Sequence, residues 1–472
     1  MADQLVLGVP PSVMQLVQQG ALQRAFHDGL YPNLGFRSEA LFEEWPANAG
    51  TEHFMTRAGL LPPITEPLKP GDDPLPQESV YEQWSAVLRQ FAGAKDVHMP
   101  SSVVSNANLF LREIKNLGLQ SAQSINRVSR NTLFKAYLAG HTVTTVALVG
   151  TESVLQVASL SGFTDVITSI TVRPVPVSPA VPLPITVGTG IAKVSANVVG
   201  TLPDDPTDPE GPGKLVLSAA IGTAFAVRAP VVSKFAASVI RAAGGDSVDA
   251  IGPNDTLVLQ QVINAVGTLR DSNVPTHDDG FYHAHLSGSS NAQFFQDPVF
   301  QRLNQSLPEH TIYKEGFIGT IANVMFFMNP EAPRQGNSGK ETTNVGSAGS
   351  PTTPGIYAKD LGAEVVNGLG VKVGRVIITG KGSLYEKGLD EGQYVTEAGL
   401  NGKVGEFDVV NNGVQIMAER IRLILRAPVD RLQQKVGLAW SITTSFAPPS
   451  DITAPTGPQR FKRALVLEHA LG

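Results

Sequence analysis

Residues 259–286 read LQQVINAVGTLRDSNVPTHDDGFYHAHL, and the local pattern changes twice along them. Four apolar residues recur at helical spacing and predict a helix over residues 255–270, with Asp255 as its N-cap: Leu259, Val262, Val266 and Leu269. The runs NVP and DDG that follow are typical of turns. YHAHL then predicts a strand. The stretch therefore indicates a helix followed, across a turn, by a strand.

The run HDDGFYHAH, residues 277–285, holds three histidines and two aspartates. In a strand, His283 and His285 point to the same face, so their imidazoles could share a zinc ion to which His277, Asp278 or Asp279 adds a ligand. The run has no HExxH spacing, however, and its Asp and Gly residues are ordinary turn residues. We expect a turn and a half-buried strand. A metal-dependent hydrolase centred on His277, His283 and His285 stays as an alternative.

The composition excludes several kinds of site. The 472 residues include no cysteine, which excludes disulfides, thiolate metal sites and cysteine nucleophiles. A net charge of -6 gives no overall cationic field, so we expect any DNA contact to be local or weak. We expect neither a signal peptide nor a membrane span, because no apolar run approaches about 20 residues. The length predicts two or three packed units.

Two strand-like runs, GTEHFMTRAG and SVYEQWSAVLRQFAG, flank a segment that contains six prolines between Pro62 and Pro76. This pattern predicts a long two-stranded arm whose tip forms neither a ladder nor a helix. An isolated hairpin is marginally stable, so we expect the arm to rest on another chain. An ordinary surface linker is the alternative. Before the arm, residues 12–28 predict a short amphipathic helix.

Residues 100–139 repeat apolar side chains at helical spacing, with Ser101 or Ser102 as N-cap and Gly140 as the stop. At 1.5 Å per residue they predict a helix of about 50 Å. Gly118 inside it indicates a bend or a close contact.

Short β-rich runs separated by Pro and Gly over residues 163–229 predict a small inserted β domain. The loop DDPTDPE within it has carboxylates that could gather calcium, but its spacing is not that of a calcium loop, and a solvated loop is the favoured interpretation. Further on, the runs IANVMFFMN, VKVGRVIIT, RIRLILRAP and VGLAWSITTSF predict strands. Between them, residues 329–355 predict an exposed polar loop. GKGSLYEKG lacks the phosphate-loop spacing, and there is no GxSxG motif. We therefore predict no enzymatic activity and no cofactor.

The order of these elements resembles the major capsid proteins of tailed bacteriophages, which have the Hong Kong 97-type fold, and in particular the N-four-like podovirus branch. The resemblance covers about residues 30 to 450 and is carried by LQQVINAVGTLRDSNVPTHDDGFYHAHL, FFQDPVFQ, EGFIGTIANVMFFMNP and QKVGLAWSITTSF. It implies an α+β fold with an N-terminal arm, an extended loop, a long spine helix, peripheral and axial domains and an inserted small β domain.

The resemblance implies the following division of the chain. The segments are an N-terminal arm (1–38), an extended β-hairpin loop (39–99), the spine helix and peripheral domain (100–162), the inserted β domain (163–229), a peripheral-domain helix (230–280), the axial domain (281–413), the peripheral return strands (414–447) and a C-terminal extension (448–472). In the extension, QRFKRALVLEHA alternates basic and apolar residues and is predicted to pack on a neighbouring chain or face DNA.

The function implied is self-assembly into pentamers and hexamers of an icosahedral phage head that encloses double-stranded DNA. Its expected partners are further copies of the chain, portal, scaffolding and decoration proteins, and weakly bound DNA, in a virion assembled in the host cytoplasm. On the arm, the charged candidates for contact between subunits are Arg57, Lys69, Asp72 and Asp73. A cellular nanocompartment shell with the same fold, loaded with protein cargo, is the alternative.

Overall fold

A computed structural model describes the chain at residues 21–30, 35–46, 49–58, 61, 64–69, 71, 73–74, 76–77, 81–98, 109–166, 174–206, 209–305, 319–329, 371–389, 407–410, 413–418, 420–426, 432, 434–451 and 461–471. The chain divides into two compact units. The first comprises Met1–His53, Ser85–Arg130 and Leu384–Ala447, and the second comprises Phe54–Trp84, Asn131–Ser383 and Pro448–Gly472.

Five helices lie within the described residues: α1 (Ala21–Leu30), α2 (Leu109–Tyr137), α3 (Leu259–Asp271), α4 (Gly288–Gln296) and α5 (Pro298–Gln305). The predicted long helix is confirmed over residues 109–137 as α2, whose 29 residues span about 43 Å. Its predicted N-cap, Ser101 or Ser102, lies outside the described residues. None of the five is long and apolar enough to cross a bilayer. Together with the strands described below, they confirm the predicted α+β class.

A seven-stranded sheet dominates the first unit, with its strands numbered along the chain. They are β1 (Ala40–Glu44), β4 (Arg89–His98), β18 (Leu384–Gly388), β19 (Phe407–Val410), β20 (Gly413–Ala418), β21 (Ile421–Arg426) and β22 (Lys435–Ala447). Their order is β1-β18-β22-β21-β20-β19, and β4 pairs with β22. The predicted final strand, VGLAWSITTSF, is therefore at the centre of this sheet.

Helices α1 and α2 form the apolar core of the first unit with this sheet. The buried side chains come from one face of each helix and from β4, β21 and β22, and include Phe26, Ile114, Leu117, Ile125 and Trp440. The period-2 alternation of β22 places its apolar residues on the helix side of the sheet, which is the usual reason for a helix to pack there.

The predicted hairpin arm is present as β2 (Glu52–Ala58) and β3 (Tyr81–Val87), which form a two-stranded sheet of their own. The boundary between the units falls within both strands, after His53 and after Trp84.

A six-stranded antiparallel sheet in the second unit closes on itself. Its strands are β5 (His141–Val143), β6 (Val154–Val157), β9 (Leu183–Val187), β10 (Val194–Pro203), β11 (Gly213–Leu217) and β12 (Pro230–Ser233), in the order β5-β12-β9-β10-β11-β6. A bridge between Thr144 and Val157, with two flanking backbone hydrogen bonds, joins the first strand to the last. The sheet is therefore a small β-barrel around its own apolar core.

This barrel takes strands from outside the segment predicted as the inserted β domain. β5, β6 and β12 lie on either side of residues 163–229. Between β6 and β9 in the chain, β7 (Asp165–Val166) and β8 (Val175–Pro176) form a short two-stranded ladder of their own. The flanking strands β5, β6 and β12 close the barrel, so that none of its strands is left with an unpaired edge.

A mixed sheet forms the rest of the second unit. Its strands are β13 (Val239–Arg241), β14 (Tyr282–Leu286), β15 (Thr320–Ile321), β16 (Val324–Met328), β17 (Lys372–Thr379) and β23 (Ala464–Leu471), in the order β13-β23-β17-β14-β16-β15. Helices α3, α4 and α5 contribute to the core of this sheet. The predicted strands YHAHL, IANVMFFMN and VKVGRVIIT are confirmed here.

The prediction for the C-terminal segment is wrong. Residues 464–471 form β23, which lies between β13 and β17 and is buried at every residue except the last. The segment ALVLEHAL is a nearly continuous apolar run, which is typical of a strand covered on both faces. Its place is in the core of its own chain.

The predicted N-cap of α3 is also wrong, although the predicted apolar face is confirmed. Leu259, Val262, Val266 and Leu269 are all buried. The helix begins at Leu259, and the Asp255 carboxylate instead accepts a hydrogen bond from the backbone N–H of Gly252 at 2.7 Å. Asp297, distant in sequence, accepts the free N–H of Leu259 at 2.7 Å. Of the predicted polar loop, residues 330–355 lie outside the described residues.

Candidate functional site

The tip of the hairpin is exposed throughout the part that the structure describes. Each described residue from Leu61 to Gln77 is exposed. Three of them are large and apolar, namely Leu61 at 52%, Ile64 at 75% and Leu68 at 59% exposure. Large apolar side chains grouped on a short exposed segment are typical of a contact surface for another molecule.

The charged candidates on the arm have different surroundings. Lys69 and Asp73 are exposed on the tip, whereas Asp72 lies outside the described residues. Arg57 is in β2 and forms ion pairs within its own chain, with Glu82 of β3 and with Asp451. Its guanidinium also lies 5.5 Å from the ring centroid of Trp84. The contact role predicted for Arg57 therefore has to compete with these intrachain partners.

A second arginine completes the cluster at the base of the hairpin. Arg463 donates to the Asp451 carboxylate at 3.1 Å and to the backbone oxygen of Lys381 at 2.7 Å. Asp451 thus receives two guanidinium groups. Because the carboxylates of Glu82 and Asp451 are largely buried, these pairs hold β2 and β3 to the C-terminal segment of the second unit more firmly than surface pairs would.

The run HDDGFYHAH is a turn followed by a strand, as expected. The backbone N–H of Gly280 donates to the backbone oxygen of His277 at 2.9 Å. Gly280 has a φ of +85°, a conformation that favours glycine. Asp279 accepts the N–H of Phe281 at 3.0 Å, which closes the turn. Asp278 forms an ion pair with Lys381.

The two nearest imidazoles are stacked. The rings of His277 and His283 have centroids 3.9 Å apart and planes 6° from parallel. A histidine binds zinc through a nitrogen lone pair in the plane of its ring, so an ion between two parallel stacked rings would lie far out of both planes. Nε2 of His277 faces the backbone oxygen of Thr379 at 3.2 Å, and Nε2 of His283 faces the Asp279 carboxylate at 2.9 Å. This arrangement does not suit an ion shared by the two rings.

His285 packs against an aromatic side chain of the neighbouring strand. Its ring stacks on Phe327 at 5.5 Å, and His283 meets the same phenyl ring edge-on at 5.0 Å. His283 and His285 share a face of β14, but Phe327 contacts both of them. The three predicted ligands are therefore not brought together as one set: the rings of His277 and His283 stack on each other, whereas His285 stacks on Phe327.

A buried ion triad lies in the centre of the mixed sheet. Glu468 of β23 accepts from Arg241 of β13 and from Arg375 of β17, each at 2.8 Å, and all three side chains are almost fully buried. Burial disfavours the charged carboxylate, but the guanidinium groups of Arg375 and Arg241 outweigh it and hold the pKa of Glu468 below its usual value. The sequence offered no local signal for this triad, because its members are far apart in the chain.

Two histidines lie close to the triad, of which His469 is buried and His141 is partly buried. Burial lowers the pKa of His141 to about 4, and the charge of Arg241 adds to this effect. Burial likewise lowers the pKa of His469 to about 4. His469 faces the hydroxyl of Ser290 at 3.0 Å, and His141 faces the backbone oxygen of Ala237 at 2.8 Å. Both histidines are therefore neutral near pH 7.

In the loop DDPTDPE, considered above for calcium, one carboxylate is paired with a lysine. Glu210 forms an ion pair with Lys135 at 2.6 Å, and Asp208 lies outside the described residues. A carboxylate already paired with an ammonium group is a poor ligand for calcium.

Comparison with known proteins finds likeness in three-dimensional structure alone. No protein family and no curated protein matches the chain. The capsid of the cyanophage P-SCSP1u is 10% identical, with a TM-score of 0.45 over 93% of this chain and 88% of that one. The capsid of Ralstonia phage GP4 is 10% identical, with a TM-score of 0.44 over 92% and 87%. The cyanophage Pam1 capsid is 9% identical, with a TM-score of 0.44 over 92% and 89%. All three are phage capsid structures.

Proposed function

We propose that the chain is the major capsid protein of a tailed bacteriophage of the N-four-like podovirus branch, and that it builds the pentamers and hexamers of an icosahedral head. In this proposal the chain is a structural protein without catalysis, and it encloses double-stranded DNA that it contacts only weakly. Portal, scaffolding and decoration proteins are its further partners, and the virion head is assembled in the host cytoplasm.

The observation that carries the proposal is the uncovered hairpin tip. Leu61, Ile64 and Leu68 are exposed in the single chain, although burial of each such side chain is worth about 1.5–3 kcal/mol. Prolines around them restrict the unbound tip, so little conformational entropy is lost when it docks. A stiff apolar arm of this kind is suited to lie on a neighbouring copy.

The ion pairs at the base of the hairpin support the same role. Arg57 and Glu82 belong to the hairpin strands, and Asp451 ties them to the C-terminal segment. An arm that is anchored at its base and free at its tip can bridge two subunits in a defined direction. Contacts that repeat from copy to copy and curve to closure give a finite shell, and many weak contacts of this kind add up over the whole particle. Lys69 and Asp73 are then the charges at the tip that would meet the neighbour.

The test is electron microscopy of the full chain expressed alone, beside the variant Leu61→Ser, Ile64→Ser, Leu68→Ser. The unchanged chain should give closed shells or rings of five and six. The triple variant should give a folded subunit, checked by circular dichroism, that stays small. Leu432→Ser, at a position 74% exposed outside the hairpin, is the control and should still assemble. A small monodisperse particle from the unchanged chain would contradict the proposal.

A further inference from the structure

Helices α1 and α2 carry a positive charge that the rest of the chain does not share. They contain six cationic and two acidic side chains, which give them a net charge of +4. The cations are Arg24, Arg112, Lys115, Arg127, Arg130 and Lys135, and the acids are Asp28 and Glu113. Since the whole chain has a net charge of -6, its other residues together carry -10. An asymmetry of this kind indicates a polyanionic partner for the basic part.

Three of these cations have no partner among the described residues. Arg24 on α1 and Arg112 and Lys115 on α2 are exposed, and none of them forms an ion pair in the part of the chain that the structure describes. Glu113 of α2 is already paired with a lysine of β4. Asp28 is the one described acid of the two helices without such a pair, so the free charges still sum to about +2. The three cations are available to an anion from outside.

The free cations lie on one side of the first unit. Phe26 of α1 and Ile114 of α2 are buried in the core that the helices form with the seven-stranded sheet. Residues two apart on a helix point to nearly opposite sides, so Arg24 and Arg112 are directed away from the sheet. Lys115 lies one turn from Arg112 on the same side of α2. A glycine of each helix lies against the backbone of the other, so the outer sides of the helices are contiguous. We call the exposed side chains of Arg24, Arg112 and Lys115 the basic face.

We infer that the basic face binds the phosphate groups of duplex DNA. Proteins contact phosphates with arginine and lysine and also with neutral polar side chains such as asparagine. Asn116 is exposed one turn from Arg112, on the same side of α2. A surface that binds a folded protein usually exposes large apolar side chains at its centre. Among the described residues, no exposed large apolar side chain lies on α1 or α2. The basic face therefore fits nucleic acid better than an acidic protein.

This inference rests on the proposed function, which supplies duplex DNA inside the shell. It adds an orientation: α1 and α2 lie on the inner side of the seven-stranded sheet, and the other face of that sheet lies towards the outside. With three phosphate contacts, the logarithm of the association constant should fall with the logarithm of the salt concentration with a slope of about -2.7, or about 40-fold between 50 and 200 mM salt. The contact of one chain with DNA is therefore weak at physiological salt and adds up over many copies.

The first test is a titration of soluble full-length subunits with a short fluorescent DNA duplex, followed by fluorescence anisotropy at several salt concentrations. The unchanged chain should show the salt dependence given above. The triple variant Arg24→Gln, Arg112→Gln, Lys115→Gln, checked for folding by circular dichroism, loses all three contacts. It should bind at least about tenfold more weakly at about 50 mM salt, with a slope near zero.

The matched control is the triple variant Arg89→Gln, Lys234→Gln, Arg302→Gln. It also removes two arginines and one lysine, all exposed, but from three separate places in the chain. The control has the same net charge as the first variant and should keep the affinity and the salt slope of the unchanged chain within about twofold. Equal binding by the two variants would overturn the inference. Tighter binding of poly-glutamate than of the duplex, at equal concentration of charges, would assign the face to an acidic protein and overturn it as well.

A second test locates the basic face in the particle. The chain has no cysteine, so Lys115→Cys provides a single thiol. In intact shells this thiol should react with a small maleimide but not with a maleimide polymer too large to enter, and after disassembly it should react with both. Reaction with the polymer in intact shells would place the face outside, and reaction with neither reagent would place it under a neighbouring chain. Either result overturns the inference. The two proposals can fail separately, because a lack of shells contradicts the proposed function, whereas the titration of soluble subunits tests the DNA contact without shells.

Discussion

Single residues fix the alignment of the C-terminal strand. Arg241, Glu468 and Arg375 are direct cross-strand neighbours on β13, β23 and β17. Displacement of β23 along its neighbours would separate the carboxylate from both guanidinium groups and leave buried charges without compensation. Three apolar strands could pair in several ways, and the triad selects one of them.

Loss of the central carboxylate should be costly. Glu468→Leu leaves two buried guanidinium groups facing each other, and we expect it to lower the free energy of unfolding by about 3–5 kcal/mol in urea denaturation. The triple change Arg241→Met, Arg375→Met, Glu468→Leu removes every charge of the triad and should cost clearly less than the single change. Equal losses in the two variants would show that the triad contributes through packing and not through charge.

The two histidines near the triad predict a pH dependence of stability. His141 and His469 have a pKa of about 4 in the folded chain, against 6.5 for an ordinary histidine. The unfolded chain therefore takes up protons first as the pH falls. Stability should be complete above about pH 6.5 and decrease towards pH 4, by about 3 kcal/mol per histidine. Glu468 does not contribute to the decrease in stability between pH 6.5 and pH 4.5. Its pKa in the folded chain is below the ordinary value of 4.5, so the stability that depends on its charge is lost only below pH 4.5.

The measurement is the melting temperature between pH 7.5 and pH 4.5 for the unchanged chain and for His141→Gln with His469→Gln. Neither glutamine titrates, so the double variant should show a flatter curve over this range, whatever its stability at pH 7.5. Parallel curves for the two proteins would contradict the assignment of the window to these two histidines.

At the scale of elements, a glycine contact allows α1 and α2 to approach closely. A Cβ atom at Gly118 would lie 2.6 Å from the backbone oxygen of Phe26, and one at Gly29 would lie 2.4 Å from that of Lys115. The close contact predicted as one possibility at Gly118 is therefore present. The sequence alone left a bend open as the other possibility, because the partner of Gly118 lies on a different helix.

Alanine at this contact should be destabilising even though alanine favours helices. Gly118→Ala and Gly29→Ala each force the two backbones apart, and we expect each to cost about 1–3 kcal/mol in thermal or urea unfolding. Gly267→Ala in α3 is the matched control. A Cβ there meets nothing within 4 Å, so that change should stabilise the chain by up to about 1 kcal/mol. The same sign of effect at Gly118 and Gly267 would be inconsistent with this account.

Element by element, the sequence predicted what depends on local periodicity and missed what depends on distant partners. The apolar face of α3 and the strand YHAHL were predictable because their spacing is regular. The residue that caps α3 was not predictable, because Asp297, just before α5, accepts the backbone N–H of Leu259 from a distant part of the chain. β23 was misplaced because the arginines that compensate Glu468 lie far away in sequence, so its charged residues suggested an exposed segment. The barrel was underestimated for a similar reason, since its closing strands look like separate short runs.

At the scale of the whole molecule, the chain has a net charge of -6 and no overall attraction for DNA. We therefore expect the isolated subunit to bind duplex DNA no more tightly than about 10 µM at 150 mM salt, within the range of non-specific binding. A filter-binding titration over several salt concentrations measures this. Binding below about 1 µM at physiological salt would contradict the proposed weak contact with the packaged genome.

In the proposed shell, the hairpin tip of one chain lies on another chain. A cryo-electron microscopy reconstruction of the particles formed by the full chain tests this contact. We expect Leu61, Ile64 and Leu68, which are exposed in the single chain, to be buried against a neighbouring copy. A reconstruction in which the tip folds back on its own chain or remains in solvent would contradict it, as would a preparation in which no closed particle forms.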